Sequence, residues 1–146
     1  MSGQIKTRAF QIADYDAAMR LWDQVEGIEI AEGDSRDEIA RFLARNPGLS
    51  RVAEDNDIII GVSLCGHDGR RGYIYHLAVA PDYHARGVGR KLVAECLTGL
   101  LKAGVPRALI LVAGDNPRGQ AFWRRCGWEE VSDVNVMGID PGHPGA

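Results

Sequence analysis

Long apolar runs are missing from this sequence. None approaches the length of a membrane-spanning helix, and Met1 to Arg8 carry no apolar signal core. Cysteine is scarce: Cys65, Cys96 and Cys126 are odd in number and widely spaced. That excludes a disulfide framework and the paired spacing of a metal site, so reduced, buried thiols in a cytoplasmic protein are expected, with no metal. An excess of positive charge is also absent. The net charge is -3, which argues against a general nucleic-acid or membrane-surface binder, because such partners select a basic face. Repeats are lacking, and the only biased stretch is the tail from Asp140 to Ala146. What remains is ordinary globular material, 45% apolar and 25% charged over 146 residues. The expectation is one domain over residues 1–140 and a flexible tail over 141–146.

Periodicity divides the chain into helices and strands. A short strand near Ile5–Phe10 leads to Asp14 as an expected N-cap. Tyr15, Ala18, Met19, Trp22 and Val25 then recur at helical spacing. After a polar loop from Glu26 to Asp34, Ser35 and Glu38 match a capping box, and Ile39, Phe42 and Leu43 form the inner face of a second helix. Three strands, Leu49–Glu54, Ile58–Gly66 and Tyr73–Val79, follow through short turns and imply an antiparallel meander. Val88, Leu92, Val93, Cys96, Leu97 and Leu100 place a strong apolar stripe on a third helix. The apolar segment Ala108–Ala113 closes a strand–helix–strand crossover, so it should pair in parallel with Tyr73–Val79. A last helix near Pro117–Cys126 and a hairpin near Trp128–Ile139 complete an α+β reading: a mixed sheet, antiparallel at first, with one parallel splayed pair and about four flanking helices.

The run Val79-Ala80-Pro81-Asp82-Tyr83-His84-Ala85-Arg86-Gly87-Val88-Gly89-Arg90-Lys91 takes the chain from a strand, through a turn, into a helix. Helix N-termini carry unpaired N–H groups and partial positive charge, and so bind phosphates. Gly87 and Gly89 remove side chains that would hold a diphosphate away from the backbone. Arg86, Arg90 and Lys91 stand where cations are disfavoured unless an anion binds. An ordinary glycine turn with solvated arginines competes with this reading. A dinucleotide fingerprint would need glycine where Leu92 stands and an acid after the next strand, a part only Asp115 could play.

The pattern Leu77-x-Val79-x-Pro81-x-x-His84-x-x-Gly87-x-Gly89 resembles the acetyl-CoA motif of the GNAT superfamily of N-acyltransferases. That motif reads Gln or Arg, two residues, Gly, one residue, then Gly or Ala. Asn116, Phe122, Trp123, Gly127 and Trp128 are similar to a second family segment of Asn, an apolar residue, Tyr, Gly and an aromatic. The resemblance runs from about Ile5 to Ile139. It implies an N-acetyltransferase moving the acetyl group of acetyl-CoA to a primary amine. The cofactor would be held by Leu77, Ala78, Val79, His84, Ala85, Arg86, Gly87, Val88, Gly89, Arg90, Asn116 and Trp123. Two departures stand out: His84 replaces the usual Gln or Arg, and Trp123 replaces a tyrosine that protonates the departing thiolate. Indole donates a hydrogen bond but is no acid at neutral pH.

The resemblance also assigns chemistry to the strand before the turn. The Leu77 N–H would face the acetyl carbonyl and Val79 would bind the pantetheine arm. Tyr73 and Tyr75 stand where the family usually places its base, with His76 next door. Strand alternation puts Tyr73, Tyr75, Leu77 and Val79 on one face and His76 on the other, unless a distortion intervenes. Tyr75 is then expected to line the acceptor pocket, with water carrying the proton, while a packed core histidine competes with a catalytic one for His76. Glu26, Glu29, Glu32 and Asp34 are candidates to attract a cationic amine, against a solvated loop as the alternative. Trp22, Phe42 and Trp128 are assigned to packing. A catalytically idle acyl-CoA-binding module is the alternative function. The acceptor is not specified by the sequence, and a homodimer stays open.

Overall fold

The computed structural model describes residues 4–145. Met1–Gly3 of the expected domain and Ala146 of the expected tail lie outside them. The elements run β1 (Ile5–Ala9), α1 (Tyr15–Gln24), α2 (Arg36–Arg45), β2 (Arg51–Asp55), β3 (Ile58–His67), β4 (Gly72–Val79), α3 (Val88–Lys102), β5 (Ala108–Ile110) and α4 (Pro117–Arg125). One sheet holds all five strands in the order β1-β2-β3-β4-β5. Its first three pairings are antiparallel, and β4–β5 is parallel. The crossover argument and the mixed sheet are therefore both observed. No helix among the described residues is long and apolar enough to cross a membrane.

Each face of the sheet has its own core. Ala18, Leu21 and Trp22 of α1 and Ile39 of α2 pack on Val52, Val62, Leu64 and Ala78. On the other face Val93, Cys96 and Leu100 of α3 meet Leu49, Cys65 and Ile74, joined by Trp123 of α4. Cys65 and Cys96 are thus core residues, and Cys126 is half-buried. The stripes read from the sequence lie on the packed faces of the helices, except that Leu97 of the α3 stripe is exposed. Ser35 caps α2 as expected: its hydroxyl accepts from the Glu38 N–H, and the Glu38 carboxylate accepts from the Ser35 N–H, at 3.2 Å each.

Three local expectations are corrected. Asp14 precedes α1 but its side chain does not cap it. Its carboxylate turns back to β1, accepting from both terminal nitrogens of Arg8 at 2.8 and 2.9 Å and from the Gln11 N–H at 2.9 Å. A bidentate guanidinium outcompetes the backbone amides of the first turn. The Trp128–Ile139 hairpin is also absent, since those residues contain no strand. Asp133 takes a left-handed backbone, φ 64°, which breaks an extended run, and Val134, Val136, Met137 and Ile139 stand in solvent. Without apolar burial nothing offsets the cost of ordering a hairpin. The parallel strand is likewise shorter than expected, ending at Ile110.

Arg8, first through its hydrogen bonds, holds the Asp14 carboxyl below the usual carboxylate range, against the opposing effect of burial. A group whose folded value is depressed contributes stability that is present above its unfolded value, about 3.9, and is lost as pH falls through the folded one. Asp14→Asn should therefore lower stability at pH 7 by about 1.5–3 kcal/mol. It should also flatten the decline in stability below about pH 4. Urea unfolding at pH 3 and pH 7 checks both effects.

Candidate active site

The middle of β4 carries one residue too many. Leu64 pairs with Tyr75 and Val62 with Ala78, so Ser63 alone opposes both His76 and Leu77. This is a β-bulge, and His76 takes its left-handed position at φ 51°. Histidine tolerates that region better than most residues, yet it is still uncommon there. Neighbours hold it in place. The indole N–H of Trp22 donates to the His76 carbonyl at 2.9 Å, and the two rings meet edge to face with centroids 5.1 Å apart.

The bulge shifts side-chain parity. Tyr73 stacks on Tyr75 at 5.8 Å, and Tyr75 meets Phe42 of α2 edge to face at 6.1 Å. His76 meets Trp22 on that same side, and Ala78 packs in the same core. Leu77 and Val79 pack on the opposite side, against residues of α3. The expected grouping of Tyr73, Tyr75, Leu77 and Val79 is thus corrected: Tyr75 and His76 share the α1–α2 face. Burial pushes the Tyr75 phenol up, so at neutral pH it is a hydrogen-bond donor and not a base.

Beyond the bulge the sheet splits. β5 pairs with β4 only at Gly72, Tyr73 and Ile74, while β4 continues to Val79. The Ala80 N–H donates to Ile60 on the β3 side at 2.8 Å. Backbone direction alternates along a strand, so the Val79 and Leu77 N–H groups face the other way, where β5 has ended. The Ala78 amide faces β3. Two amide donors thus line an open slot.

The slot runs into the glycine turn. Ala85 and Gly87 both have left-handed backbones, φ 65° and 79°, and no side chain caps the start of α3. Backbone N–H groups in such a turn at a helix N-terminus form an anion-binding concavity. The two glycines act differently. Gly87 supplies the left-handed turn in open space. Gly89 is buried, and a methyl there would stand 3.3 Å from the Phe122 ring and 3.6 Å from Val79, so it permits close packing of α3 on α4. His84 donates from Nε2 to the Val79 carbonyl at 2.8 Å and ties the turn to the end of β4.

Residues 15–128 match the Acetyltransferase (GNAT) family. The chain belongs to that family. It is 32% identical over 134 residues to an uncharacterised N-acetyltransferase of Yersinia pestis, covering 92% of this chain and 94% of that one. It is 29% identical over 134 residues to an acetyltransferase of Sodalis glossinidius, with the same two coverages of 92% and 94%. The fold is similar to that of the PaiA N-acetyltransferase of Thermoplasma acidophilum, solved in complex with coenzyme A. The TM-score is 0.78 at 18% identity, over 90% of this chain and 93% of that one. The chain is accordingly an acetyltransferase of the GNAT family, as the two sequence motifs imply.

The remaining expected residues of this GNAT acetyltransferase fall into two groups. Ala85, Gly87 and Val88 form the turn and the first helical position, with Gly89 and Arg90 next in the first turn of α3. Their side chains contribute less than their backbone. Arg90 donates to the Arg125 carbonyl at the end of α4, at 2.9 Å, and Arg86 lies over the Tyr83 ring, 4.9 Å from its centroid. Asn116 caps α4 by accepting from the Gly119 N–H, and Gly27 of the α1–α2 loop lies against its side chain. Trp123 is buried in the core, edge to face with Trp128 at 4.9 Å and Phe122 at 5.3 Å. Of the acidic loop, Glu26, Glu29 and Glu32 are exposed, while Asp34 turns inward to His76.

Proposed function

We propose that this acetyltransferase moves the acetyl group of acetyl-CoA to a primary amine by direct attack on the thioester. The observation that carries the reading is the slot left where β5 ends beside β4, with two free amide edges leading into the turn at Ala85–Gly87. An acyl-pantetheine arm needs an extended channel with backbone donors, and its diphosphate needs an N–H cradle. The Val79 N–H would hold the arm, and the Leu77 N–H would meet the thioester carbonyl where negative charge develops. A thiol leaves readily, because its pKa of about 8.5 lies close to neutrality, so no strong acid is required at Trp123.

Isothermal titration with CoA and acetyl-CoA, followed by thiol release over a panel of primary amines, tests this. Both ligands should bind, and at least one amine should release thiol in step with amide formation. Trp123, packed where the family places its acid, favours an acyl-CoA-binding module as the second reading. Saturable CoA binding with no thiol release for any amine would select it.

A further inference from the structure

Residues 80–87 carry the chain from the end of β4 to α3, and all of them except Ala80 and Tyr83 are exposed. Two are left-handed, Ala85 at φ 65° and Gly87 at φ 79°. Glycine takes that backbone freely, whereas alanine does so rarely. The Ala85 side chain is a methyl in solvent and has no polar group to fix its own backbone. An uncommon conformation of this kind persists only where its surroundings hold it.

The holding contacts flank Ala85. On one side His84 is tied to the Val79 carbonyl. On the other the Arg86 guanidinium lies over the Tyr83 ring, 4.9 Å from its centroid, as a cation–π contact. Tyr83 is fixed in turn. It packs against the cluster of Ala53, Ile60, Val88 and Leu92, and its hydroxyl donates to Asp55 Oδ2. Among the described residues this is the only side-chain hydrogen bond from residues 81–87 to a part of the chain more than five positions away. The same bond pushes the Tyr83 phenol up, so it stays a donor at neutral pH. A phenol that donates to a carboxylate is also polarised, which strengthens its ring as a seat for the Arg86 cation.

Asp55 ends β2 and is only 5% exposed, yet its Oδ1 has no hydrogen-bond partner among the described residues. A buried carboxylate left half-satisfied costs stability, and an apolar residue of the same shape would avoid that cost. Asp55 is therefore a poor choice for the core and a good one for fixing the Tyr83 hydroxyl.

We infer that Asp55 is a positioning residue for coenzyme A: through Tyr83 and Arg86 it keeps the turn at Ala85–Gly87 in its left-handed form, with the backbone N–H groups set for the diphosphate. The inference rests on the acetyl-CoA reading above. Without the brace the turn spends only part of its time in the binding form, and apparent affinity falls by that fraction.

Isothermal titration of CoA into the wild type and three variants, with a thermal melt of each, tests this. Tyr83→Phe keeps the ring and deletes the donor, and should raise the Kd for CoA about tenfold, since hydrogen bonds to charged groups carry at least that factor. It should also melt lower, because Asp55 is left buried with no partner. Adding Asp55→Leu removes the stranded charge. The Tm of Asp55→Leu/Tyr83→Phe should thus return close to that of the wild type, while its Kd stays about tenfold raised. Adding Ala85→Gly instead relieves the left-handed alanine that the brace holds. In Tyr83→Phe/Ala85→Gly the Kd should come back to within about threefold of the wild type with no recovery of Tm.

A Kd that recovers together with Tm in Asp55→Leu/Tyr83→Phe would assign the pair to stability and overturn the inference alone. A Kd within about twofold of the wild type in Tyr83→Phe, or no gain on adding Ala85→Gly, would overturn it in the same way. A wild-type protein that does not bind CoA overturns the acetyl-CoA reading, and this inference with it.

Discussion

Replacing the Leu77 amide by an ester should lower kcat by about 10²–10³-fold while leaving CoA affinity nearly unchanged. Loss of one preorganised donor to a developing oxyanion costs about 2.7–4 kcal/mol of barrier. The ester keeps the side chain and the chain trace and deletes the N–H that faces the slot. The donor matters chiefly in the transition state, when charge has moved onto the carbonyl oxygen, so the loss falls on kcat. The same exchange at Val79 provides the contrast. Its N–H would hold the pantetheine arm before and during reaction, and a bond of that kind is worth about 0.5–1.5 kcal/mol. The Val79 ester should therefore raise KM for acetyl-CoA about 2- to 12-fold with little change in kcat. Semisynthetic proteins, steady-state kinetics and CoA titration separate the two outcomes. Equal effects at both positions would remove the oxyanion role from Leu77. The Leu77 ester also weakens the His76 carbonyl that accepts from Trp22. A thermal melt accompanies the kinetics for that reason.

The parts of this site that are readable in the chain are those with local or periodic signatures. The apolar stripe from Val88 to Leu100 marks a helix that must cover a sheet, and the two flanking strand signals then fix a parallel pair. Ser35 and Glu38 announce a helix start three residues apart. The glycine turn and the Asn116–Trp128 segment are legible through family resemblance because backbone geometry constrains both. The bulge is different. A period of two carries no mark for a single inserted residue, and His76 is not the glycine that usually signals a left-handed position. One such insertion moves Tyr75 and Leu77 to opposite faces, so the expected face assignments fail at the point where the proposed chemistry would take place.

Charge is equally hard to place from sequence. Arg90 sits at the N-terminus of α3, as a cation awaiting an anion would, yet its guanidinium donates to the Arg125 carbonyl at the end of α4. Cations are favoured at helix C-termini, and α4 presents one within reach. Asp14 has the residue type and position of an N-cap but faces a guanidinium across the chain. Asp34 is one acid among four in a polar loop. Only the folded chain brings it to a residue 42 positions away and separates it from Glu26, Glu29 and Glu32. Long-range partners of single polar residues leave no periodic trace.

Trp22→Ala should be the most destabilising single substitution near the site, by about 3–5 kcal/mol. Trp22 is 1% exposed and fills the core between α1 and the sheet. Domains of this size are stable by about 5–15 kcal/mol in total, so the variant should lie near the edge of folding. Packing alone does not account for the residue, because its indole N–H also holds the carbonyl of the left-handed His76. Trp22→Phe separates the two roles. It retains much of the apolar volume and deletes the donor, leaving a half-buried carbonyl unpaired at a cost of about 1–3 kcal/mol. Urea unfolding should therefore rank wild type above Trp22→Phe, and Trp22→Phe above Trp22→Ala. The kinetic consequence should be larger than this intermediate stability implies. A bulge no longer held at its carbonyl lets His76 and the adjacent Leu77 amide drift together, and displacement of reacting groups by about 1 Å costs on the order of 10²-fold. A Trp22→Phe variant with wild-type kcat and lowered stability would confine Trp22 to the core. A kcat depressed well beyond twofold at unchanged CoA affinity would show that the indole N–H maintains the geometry at the bulge.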